Sequence, residues 1–364
     1  MGNLAVTFMP AALDACALFR MYIPHLHIEG SRYVHRPGRM VEEDFAGSDV
    51  NIVQRLATAG NLQALKAMKE CGCKIIYDLD DNVWSLPAYN PAKDLYDKMR
   101  EGFGVCAAES HVVTVSTVGL KKAVHQALPH LKTEVIVIPN GIDFTLYQTP
   151  KTLVKDETVV VGWAGSNTHR GDVAEVWDLL GEVITSCPNS RFELVGSHNA
   201  KFLEQRKVGG MMVNIERRAD DPNGVPKGLV GSPQFRLRDW VHVAEFANHF
   251  SSWGWDIALA PLEDNKFNRS KSCLKILEAA AVNAVCLCSP VQPYYEFCSL
   301  DDELKWLMCS FGFQWKEKLR TLINEPERRK YLAERMRKVA EEFFSAKTVA
   351  GIWQYAFERA MAHA

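Results

Sequence analysis

The chain has 364 residues, which is long enough for two domains with separate hydrophobic cores. Its 47% apolar and 24% charged residues are typical of a soluble globular protein, and no apolar run reaches the roughly 18 residues of a membrane span. The net charge of −2 excludes a global basic field, so any contact with nucleic acid has to come from a local basic patch.

The cysteines and the start of the chain indicate a cytoplasmic protein. The opening sequence MGNLAVTFMP carries no basic stretch of the kind that begins a signal peptide. The ten cysteines follow no disulfide-framework spacing. Cys71-Gly-Cys73 and Cys286-Leu-Cys288 lack the two-residue spacer of common zinc sites, so we expect free thiols there.

Strands and helices alternate along the chain. We predict strands at Leu4–Phe8, Val50–Gln54, Lys74–Tyr77, Val112–Val115, Glu134–Ile138, Val159–Trp163, Phe192–Val195, Val241–Val243, Ile257–Ala260 and Val285–Cys288. We predict helices at Asn61–Cys71, Thr117–Ala127, Ala174–Cys187, Lys271–Ala281 and Pro326–Phe344. This alternation is typical of parallel sheets with helices on both faces.

The alternation stops near residue 150 and then starts again, which predicts two α/β domains. We expect doubly wound, Rossmann-like domains at 1–150 and 151–345 that face each other across a cleft. Residues 346–364 are amphipathic and are predicted to form a helix that packs back on the first domain; a plain surface helix is the alternative. Ligands of such sheets bind beyond the C-terminal ends of the strands.

The segment from Trp255 to Glu278 has the features of a site for a nucleoside diphosphate. A buried strand, a polar loop and a helical pattern that carries Lys271, Lys275 and Glu278 follow one another. Lysines and a helix N-terminus suit phosphates, and a glutamate suits ribose hydroxyls. An ordinary strand–loop–helix unit with a solvated basic face is the alternative.

Two further motifs come after predicted strands. In YDLDDNVW, the carboxylates of Asp78, Asp80 and Asp81 suit a metal, a helix cap or a sugar hydroxyl, and an aspartate-rich turn is equally compatible with them. In VIPNGID, Asn140 belongs to a Pro-Asn-Gly turn in which Gly141 permits positive φ.

A glycine-containing loop follows the strand at Val159–Trp163, in the sequence GWAGSNTHRGD. Small residues such as Gly165 and Ser166 let a phosphate approach the backbone, and Arg170 supplies positive charge. This feature alone is weak evidence for a phosphate site.

Together and in this order, the motifs resemble those of the retaining group 1 glycosyltransferases with the GT-B fold, most of all short bacterial and phage-encoded members. The resemblance rests on RMYIP from Arg20, YDLDDNVW, VTVST from Val113, IPNGID, GWAGSNTHRGD, and DIALAPL with the helix after it. It implies a hexosyl- or pentosyltransferase that uses a nucleoside-diphosphate sugar, such as a UDP-sugar, as co-substrate and needs no cofactor.

The resemblance also implies a donor site in the second domain. Arg170, with Lys271 or Lys275, would hold the diphosphate. Glu278 matches the second glutamate of the family's E-x7-E motif, which binds the donor ribose. The implied donor-binding set further contains Gly165, Ser166 and Asn140.

The sequence departs from the family pattern at two points. Ser270 stands where the E-x7-E motif has its first glutamate, so the contacts of the sugar hydroxyls stay open. The family's catalytic-site histidine has no clear counterpart. His111 precedes a strand, whereas His169 lies in the glycine loop and is the better candidate for the cleft, with a structural role as the alternative.

The implied reaction is glycosyl transfer with retention of configuration. The diphosphate leaves as the acceptor hydroxyl attacks from the same face, and the protein positions the reactants and stabilises the phosphate charge. Arg170, Lys271 and His169 are therefore the predicted catalytic residues. We expect no bound metal, because lysine, arginine and helix N-termini can balance the diphosphate.

The acceptor is predicted to contact the first domain, but its identity stays open. The segment from His27 to Arg39 mixes cations with aromatic residues, and the stretch 197–238 is long and rich in arginine, including Arg217 and Arg218. A hydroxylated base in phage DNA, a cell-surface glycan or lipid, and a protein are the candidate acceptors. The predicted acceptor-side residues are Asp78, Asp80, Asp81, Arg20, Arg32 and Arg36.

Two other classes of protein remain compatible with these residues. A nucleotide-sugar epimerase of the same fold would use an acid/base pair, which Asp78 to Asp81 could supply. A non-catalytic module that binds nucleotide sugars or DNA is the other, suggested by Ser270. Release of nucleoside diphosphate from labelled nucleotide sugars distinguishes the three.

Overall fold

The architecture was established from a computed structural model of the chain. The structure describes residues 4–36, 40–148, 157–165, 169, 171–173, 176–196 and 226–363, together with the backbone of two strands at 201–208 and 211–218.

The first sheet contains six parallel strands that are covered by helices on both faces. The strands are β1 (Val6–Met9), β2 (Arg32–Tyr33), β3 (Val50–Gln54), β4 (Lys74–Leu79), β5 (Val112–Val115) and β6 (Glu134–Val137). Their spatial order is β2-β1-β3-β4-β5-β6. The helical segments of this part are α1 (Ala15–Ala17), a π-helix (Leu18–Tyr22), α2 (Ile23–His27), α3 (Glu42–Phe45), α4 (Ala59–Glu70), α5 (Lys93–Ala108), α6 (Val118–Ala127) and a 3₁₀ turn (Phe144–Leu146).

The second sheet contains five parallel strands. Its strands are β7 (Val159–Ala164), β8 (Ser190–Val195), β11 (Phe235–Arg238), β12 (Ile257–Ala260) and β13 (Val285–Cys288), and an antiparallel hairpin of β9 (Lys201–Val208) and β10 (Met211–Arg218) lies between β8 and β11 in the chain. The spatial order is β11-β8-β7-β12-β13. The helical segments are α7 (Trp177–Ser186), α8 (Val243–Ser252), a 3₁₀ turn (Asn268–Ser270), α9 (Leu274–Ala281), α10 (Gln292–Cys298), a 3₁₀ helix (Asp302–Leu307), α11 (Gly312–Asn324) and α12 (Pro326–Phe344).

The strand order of the second sheet creates a point where a ligand can bind. From β7 the chain builds outward through β8 to β11, and it then returns to the other side of β7 with β12. Loops that leave β7 and β12 therefore diverge to opposite faces of the sheet and open a crevice between them.

The last helix, α13 (Ala346–Met361), packs against the first sheet. Ser345 has an extended conformation and accepts a hydrogen bond from the backbone N–H of Thr348, which ends α12 and begins α13. Trp353 is fully buried, and its ring meets that of Phe8 edge-on at 5.7 Å. The chain thus crosses from the second sheet back to the first.

Several predicted elements need correction. Val241–Val243 is not a strand: β11 lies earlier, at Phe235–Arg238, and Val243 begins α8. The arginines of β11 interrupt its apolar pattern, so the strand was missed. The long stretch 197–238 is not a plain loop, because it contains the hairpin of β9 and β10. The helices α5, α8, α10 and α11 were also missed.

Within the described part of the chain, no helix combines the length and the apolar character that crossing a membrane requires.

Candidate active site

A cleft of about 450 Å³ lies between the two sheets, beyond the C-terminal ends of their strands. One wall comes from the segment that follows β1 and consists of Leu13, Asp14, Ala15, Leu18 and Phe19. The opposite wall comes from the second sheet and includes Gly165, His169, Trp240, His242, Phe246, Lys275 and Glu278. This is the switch point of the second sheet, the region where such folds bind ligands.

Glycines allow the loops after β7 and β8 to form the back of the cleft. A Cβ atom on Gly165 would lie 2.5 Å from the ring of Trp163, and one on Gly196 would lie 2.6 Å from the carbonyl oxygen of Gly165. The backbone N–H of Gly165 donates to the carbonyl of Val195 at 3.1 Å. A larger side chain at Gly165 would displace the Trp163 ring, and one at Gly196 would separate the two loops. Gly165 lines the cleft, and its role in donor binding remains a prediction.

Lys275 and Glu278 lie three residues apart on α9 and both face the cleft. The Nζ of Lys275 donates to the carbonyl of Ala164 and stands 5.1 Å from the centre of the Trp163 ring. Burial lowers the pKa of Lys275, and the charge of Glu278 opposes that shift. The cation is therefore held beside the glycine loop, where a phosphate could approach it.

The carboxyl group of Glu278 is poorly solvated. Burial raises the pKa of Glu278 from 4.5 to about 7, although the charge of Lys275 and a hydrogen bond with Tyr147 both act in the opposite direction. A carboxylate that is not satisfied by water has oxygens available for ligand hydroxyls.

His169 is held in one orientation by Asp172. The Nδ1 atom of His169 lies 2.7 Å from Oδ2 of Asp172, whose side chain is 1% exposed. The other oxygen of Asp172 accepts from the backbone N–H of Glu263 at 3.0 Å and from Nδ2 of Asn268 at 2.8 Å. With Nδ1 bonded to the carboxylate, Nε2 of His169 is the ring atom left for a ligand.

The pKa of His169 is lowered, mainly by burial. The charges of Lys275 and Lys271 lower it further, while the hydrogen bond to Asp172 raises it. His169 is therefore neutral near pH 7, with a lone pair on Nε2. It can accept a proton or a hydrogen bond at the cleft, so the structure places it where a catalytic role is feasible.

Lys271 is not on α9, contrary to the predicted helix Lys271–Ala281. It ends the 3₁₀ turn in an extended conformation, and α9 begins only at Leu274. Its Nζ lies 3.7 Å from Oδ1 of Asp81 and 4.6 Å from the centre of the Phe267 ring. The predicted phosphate cation is therefore paired with a carboxylate of the first domain.

The loop before α9 docks on the first domain. The carbonyl of Ser270 accepts from Thr117 Oγ1 at 2.8 Å, and its Oγ lies 3.4 Å from Nδ2 of Asn82. A Cβ atom on Gly119 would lie 2.2 Å from the carbonyl oxygen of Arg269, so the two backbones approach closely. Ser270 is 2% exposed, and its position serves contact between the domains.

Asn140 bridges the domains as well, and its assignment to the donor site remains a prediction. Its Oδ1 accepts from Arg20 at 3.2 Å, and its Nδ2 donates to Oγ of Ser272 at 2.9 Å. Both polar ends of the buried amide are thus used within the protein. Asn140 therefore supports the loop before α9.

Arg20 and Asp78 form a buried ion pair, which corrects their assignment to acceptor contact. The side chains are 1% and 0% exposed, with NH2 of Arg20 2.6 Å from Oδ1 of Asp78. Thr114 donates to the same carboxylate at 2.7 Å, and Arg20 donates to the carbonyl of Ile138 at 2.5 Å. The guanidinium also lies 5.4 Å from the centre of the Trp353 ring. The pair ties β4 and β5 to the residue that follows β6, and it is too deeply buried to reach an acceptor.

Asp80 and Asp81 lie near the cleft wall, close to Cys16. Ligand atoms of the three residues lie within 4.8 Å of one another, which is a spacing that a metal ion could use. Arg55 lies 3.5 Å from Asp80 and Lys271 lies 3.7 Å from Asp81, so cations already balance both carboxylates. Burial raises the pKa of the Cys16 thiol well above its ordinary value, which disfavours the thiolate that binds metals. The prediction that no metal is needed remains a prediction.

Arg32 and Arg36 are both engaged within the first domain. Arg32 donates to Thr7 at 3.1 Å and to Ser48 at 2.9 Å, and Arg36 lies 2.9 Å from Asp44. Both residues remain exposed, and the side chain of Arg36 is 65% exposed. Their assignment to the acceptor remains a prediction.

Two arginines of the stretch 197–238 belong to the second sheet. Glu193 is fully buried, and Arg238 donates to it at 2.5 Å while Arg236 lies 3.6 Å from it. Trp255 donates to the same carboxylate at 3.2 Å. These arginines balance the charge of Glu193 at β8 and β11, and Arg236 remains 51% exposed, so their contact with an anionic acceptor remains a prediction. The predicted Ser166 and Arg170, and the side chains of Arg217 and Arg218, lie outside the described residues.

The sequence did not indicate the aromatic residues at the mouth of the cleft. Trp240 is 58% exposed and its ring meets that of His242 edge-on at 5.9 Å. His242 begins α8 by accepting from the backbone N–H of Ala244 at 3.3 Å. The predicted strand at Val241–Val243 covers the residue at which α8 begins, so the helix start was missed. The Trp-Val-His sequence, with a tryptophan near a histidine, was the feature of the sequence that could have indicated this part of the cleft.

No protein-family model matches the sequence, and no curated protein sequence does. Solved structures do match the fold. HepE from Anabaena, crystallised with UDP, has 11% identity and a TM-score of 0.63 over 98% of this chain and 99% of that one. A glycosyltransferase from Rickettsia africae has 11% identity and a TM-score of 0.65 over 100% of both chains. Sucrose-phosphate synthase from Thermosynechococcus elongatus has 10% identity and a TM-score of 0.66 over 99% of this chain and 100% of that one.

The chain has the GT-B fold. The GT-B arrangement of two Rossmann-like domains that face each other across a cleft was predicted from the sequence, and it is confirmed.

Proposed function

We propose that the protein is a glycosyltransferase that moves a sugar from a nucleoside-diphosphate sugar to an acceptor hydroxyl, with retention of configuration. The observation that carries the proposal is the grouping of Lys275, Glu278 and His169 on one wall of the cleft. HepE, which has the same fold, was crystallised with UDP and with UDP-glucose, and this supports the choice of donor.

In this proposal the second domain, 151–345, binds the donor. Glu278 accepts hydrogen bonds from ribose hydroxyls, and Lys275 with Arg170 and Lys271 balances the diphosphate. The glycine loop at Gly165 lets the phosphates approach the backbone. Lysine and arginine cations in a half-buried cleft stabilise the leaving diphosphate more strongly than they would in water.

The transfer itself needs few groups from the protein. The bond between the anomeric carbon and the diphosphate oxygen breaks while the acceptor oxygen bonds to the same face of that carbon. The proton of the acceptor hydroxyl passes to the departing phosphate oxygen. Nε2 of His169 carries a lone pair on the donor side of the cleft, so it can accept a hydrogen bond from the donor sugar or the leaving group.

We propose a glycan or lipid-linked acceptor held by the first domain, 1–150. The described wall on that side is apolar apart from Asp14, and it exposes Leu13. Asp14 is paired with Arg55 at 2.9 Å, so this wall presents mainly apolar surface with little net charge to attract phosphates, and it favours an uncharged sugar over DNA. A hydroxylated base in phage DNA is the alternative, and it depends on the hairpin of β9 and β10.

A donor screen tests the proposal. The protein is incubated with labelled nucleotide sugars, alone and with hydroxymethylated DNA or with simple glycosides, and the release of nucleoside diphosphate is followed. We expect slow release without acceptor and faster release with a glycoside. Formation of an isomerised free sugar would indicate an epimerase. Binding without release under every condition would indicate a non-catalytic module, and the transferase proposal would then be abandoned.

A further inference from the structure

Asp81 of the first domain and Lys271 of the second domain form an ion pair across the domain boundary. Their side chains are 27% and 18% exposed, and the charged atoms lie 3.7 Å apart. The Phe267 ring lies on another side of the ammonium group, 4.6 Å from its centre. Among the described residues, Asp81 is the ion-pair partner of Lys271.

The pair adjoins the cleft, although neither side chain is among the residues that line it. Asp81 and Asp80 lie close to Cys16, and the two residues before Cys16, Asp14 and Ala15, line the cleft. On the other side, the charge of Lys271 is close enough to lower the pKa values of His169 and Lys275, which face the cleft.

The backbone around Lys271 is fixed, so the side chain is the part that can move. Ser270 is bonded to Thr117, and Ser272 is bonded to Asn140, on both sides of Lys271 in the chain. The anions that the side chain can reach therefore compete for its ammonium group. Asp81 contributes most among the charges that raise the pKa of Lys271, and Asp172, Cys16 and Asp80 contribute less.

We propose that Lys271 exchanges Asp81 for the diphosphate of the donor, and that this exchange frees the Asp81 carboxylate to accept a hydrogen bond from the acceptor hydroxyl. The donor then binds before the acceptor, because the Asp81 carboxylate stays paired with Lys271 until the diphosphate of the donor binds Lys271. A diphosphate carries more negative charge than one carboxylate, and a half-buried ammonium favours the stronger counter-ion. The inference rests on the proposed function.

A double-mutant cycle with UDP as the probe tests the exchange. The dissociation constant of UDP is measured by calorimetry for the wild type, Asp81→Asn, Lys271→Gln and the double variant. Without the competing carboxylate, we expect Asp81→Asn to bind UDP roughly three- to tenfold more tightly. In the Lys271→Gln background the same change should have no effect, because there is no cation left to compete for.

Asp302→Asn is the matched control. Asp302 is an exposed carboxylate that pairs with Lys305, so its removal changes the net charge equally without touching the cleft. We expect its UDP affinity to equal that of the wild type. A general loss of negative charge would instead tighten binding in both aspartate variants and would refute the exchange. If Asp81→Asn does not fold, Asp81→Ser removes the same charge and replaces it in the cycle.

The outcomes separate this inference from the proposed function. If the wild type binds UDP, or ADP, GDP, CDP or dTDP in its place, and Asp81→Asn binds it equally or more weakly, the exchange is refuted and the donor site stands. If the wild type binds no nucleoside diphosphate, both are refuted. In the active enzyme, we also expect product-inhibition kinetics with the donor as first substrate, and in Asp81→Asn an acceptor KM raised more than the donor KM.

Discussion

Replacing Glu278 with glutamine tests the donor site most directly, because it should weaken ligand binding and stabilise the empty protein. Glutamine keeps the size of the side chain and an oxygen for Tyr147, but it removes the charge. In the wild type, burial raises the pKa of Glu278 to about 7, so the carboxyl group is partly protonated in the empty cleft at neutral pH.

The expected loss of affinity follows from the ribose contact. A hydrogen bond to a charged acceptor contributes about 1.5–3 kcal/mol, which corresponds to a roughly tenfold to 150-fold weaker binding of UDP at about pH 8. At about pH 6 the wild-type carboxyl group is mostly protonated and loses this advantage, so the ratio of the two affinities should shrink. The ratio also cancels the titration of the phosphate itself.

The expected gain in stability has the opposite sign. The pKa of Glu278 is higher in the folded protein, about 7, than its ordinary value of 4.5, so the folded state binds more protons than the unfolded state between these values. Stability therefore falls as the pH rises through this window and stays lower above it. At about pH 8, Glu278→Gln should avoid a penalty on the order of 3 kcal/mol and unfold at a higher temperature than the wild type.

Calorimetry with UDP and thermal unfolding, each across this pH range, provide the two measurements. Glu358→Gln is the control, because Glu358 is an exposed glutamate on α13, far along the chain from the cleft. Equal UDP affinity in Glu278→Gln and the wild type at about pH 8 would remove Glu278 from the donor site. A lower unfolding temperature for Glu278→Gln at that pH would refute the argument from burial.

Three further predictions concern the charges around the cleft. Asp172→Asn should disturb the orientation of His169 and lower turnover by roughly tenfold or more while UDP binding changes little, as steady-state kinetics would show; unchanged turnover would leave His169 a structural residue. Arg170→Ala should reduce turnover more than it weakens binding of the bare nucleoside, and a chelator should have no effect; loss of activity that manganese restores would establish a metal site instead. If DNA is the acceptor, replacing Arg217 and Arg218 with alanine should lower the salt dependence of DNA binding by up to about two contacts' worth and leave donor hydrolysis intact, whereas a wild type without salt-dependent DNA binding would exclude DNA.

The strands were predictable where burial on both faces left an uninterrupted apolar run. Val285–Cys288 and Ile257–Ala260 have the predicted limits because parallel strands covered by helices need no polar positions. The strand β11 escaped prediction because Arg236 and Arg238 alternate with its apolar residues. Their partner, Glu193, is a buried carboxylate about forty positions earlier in the chain, and no local pattern reveals such a pairing.

The same limit applies to the candidate site. Lys275 and Glu278 could be placed in a cleft because a helix that follows a buried strand begins near the switch point of the sheet. Arg20 and Asp78 look equally suited to a ligand in the sequence, yet each satisfies the other in the core. Whether a charged residue is structural or binds a ligand depends on its ion-pair partner. That partner is determined by the tertiary fold, and the spacing of residues in the sequence does not reveal it.

Ser270, which departs from the family motif, allows the loop before α9 to pack against the first domain. Its Oγ donates to the carbonyl of Lys266 at 3.2 Å and lies 3.4 Å from the amide of Asn82, in a position that is 2% exposed. A glutamate there would bring an additional charge into the contact between the domains, where a small hydroxyl is satisfied by two neighbours. Recognition of the donor sugar must then depend on other groups. It also follows that the loop is tied to the first domain by Ser270, so the position of Lys271, and with it the balance of charge at the diphosphate, depends on how the two domains are held together.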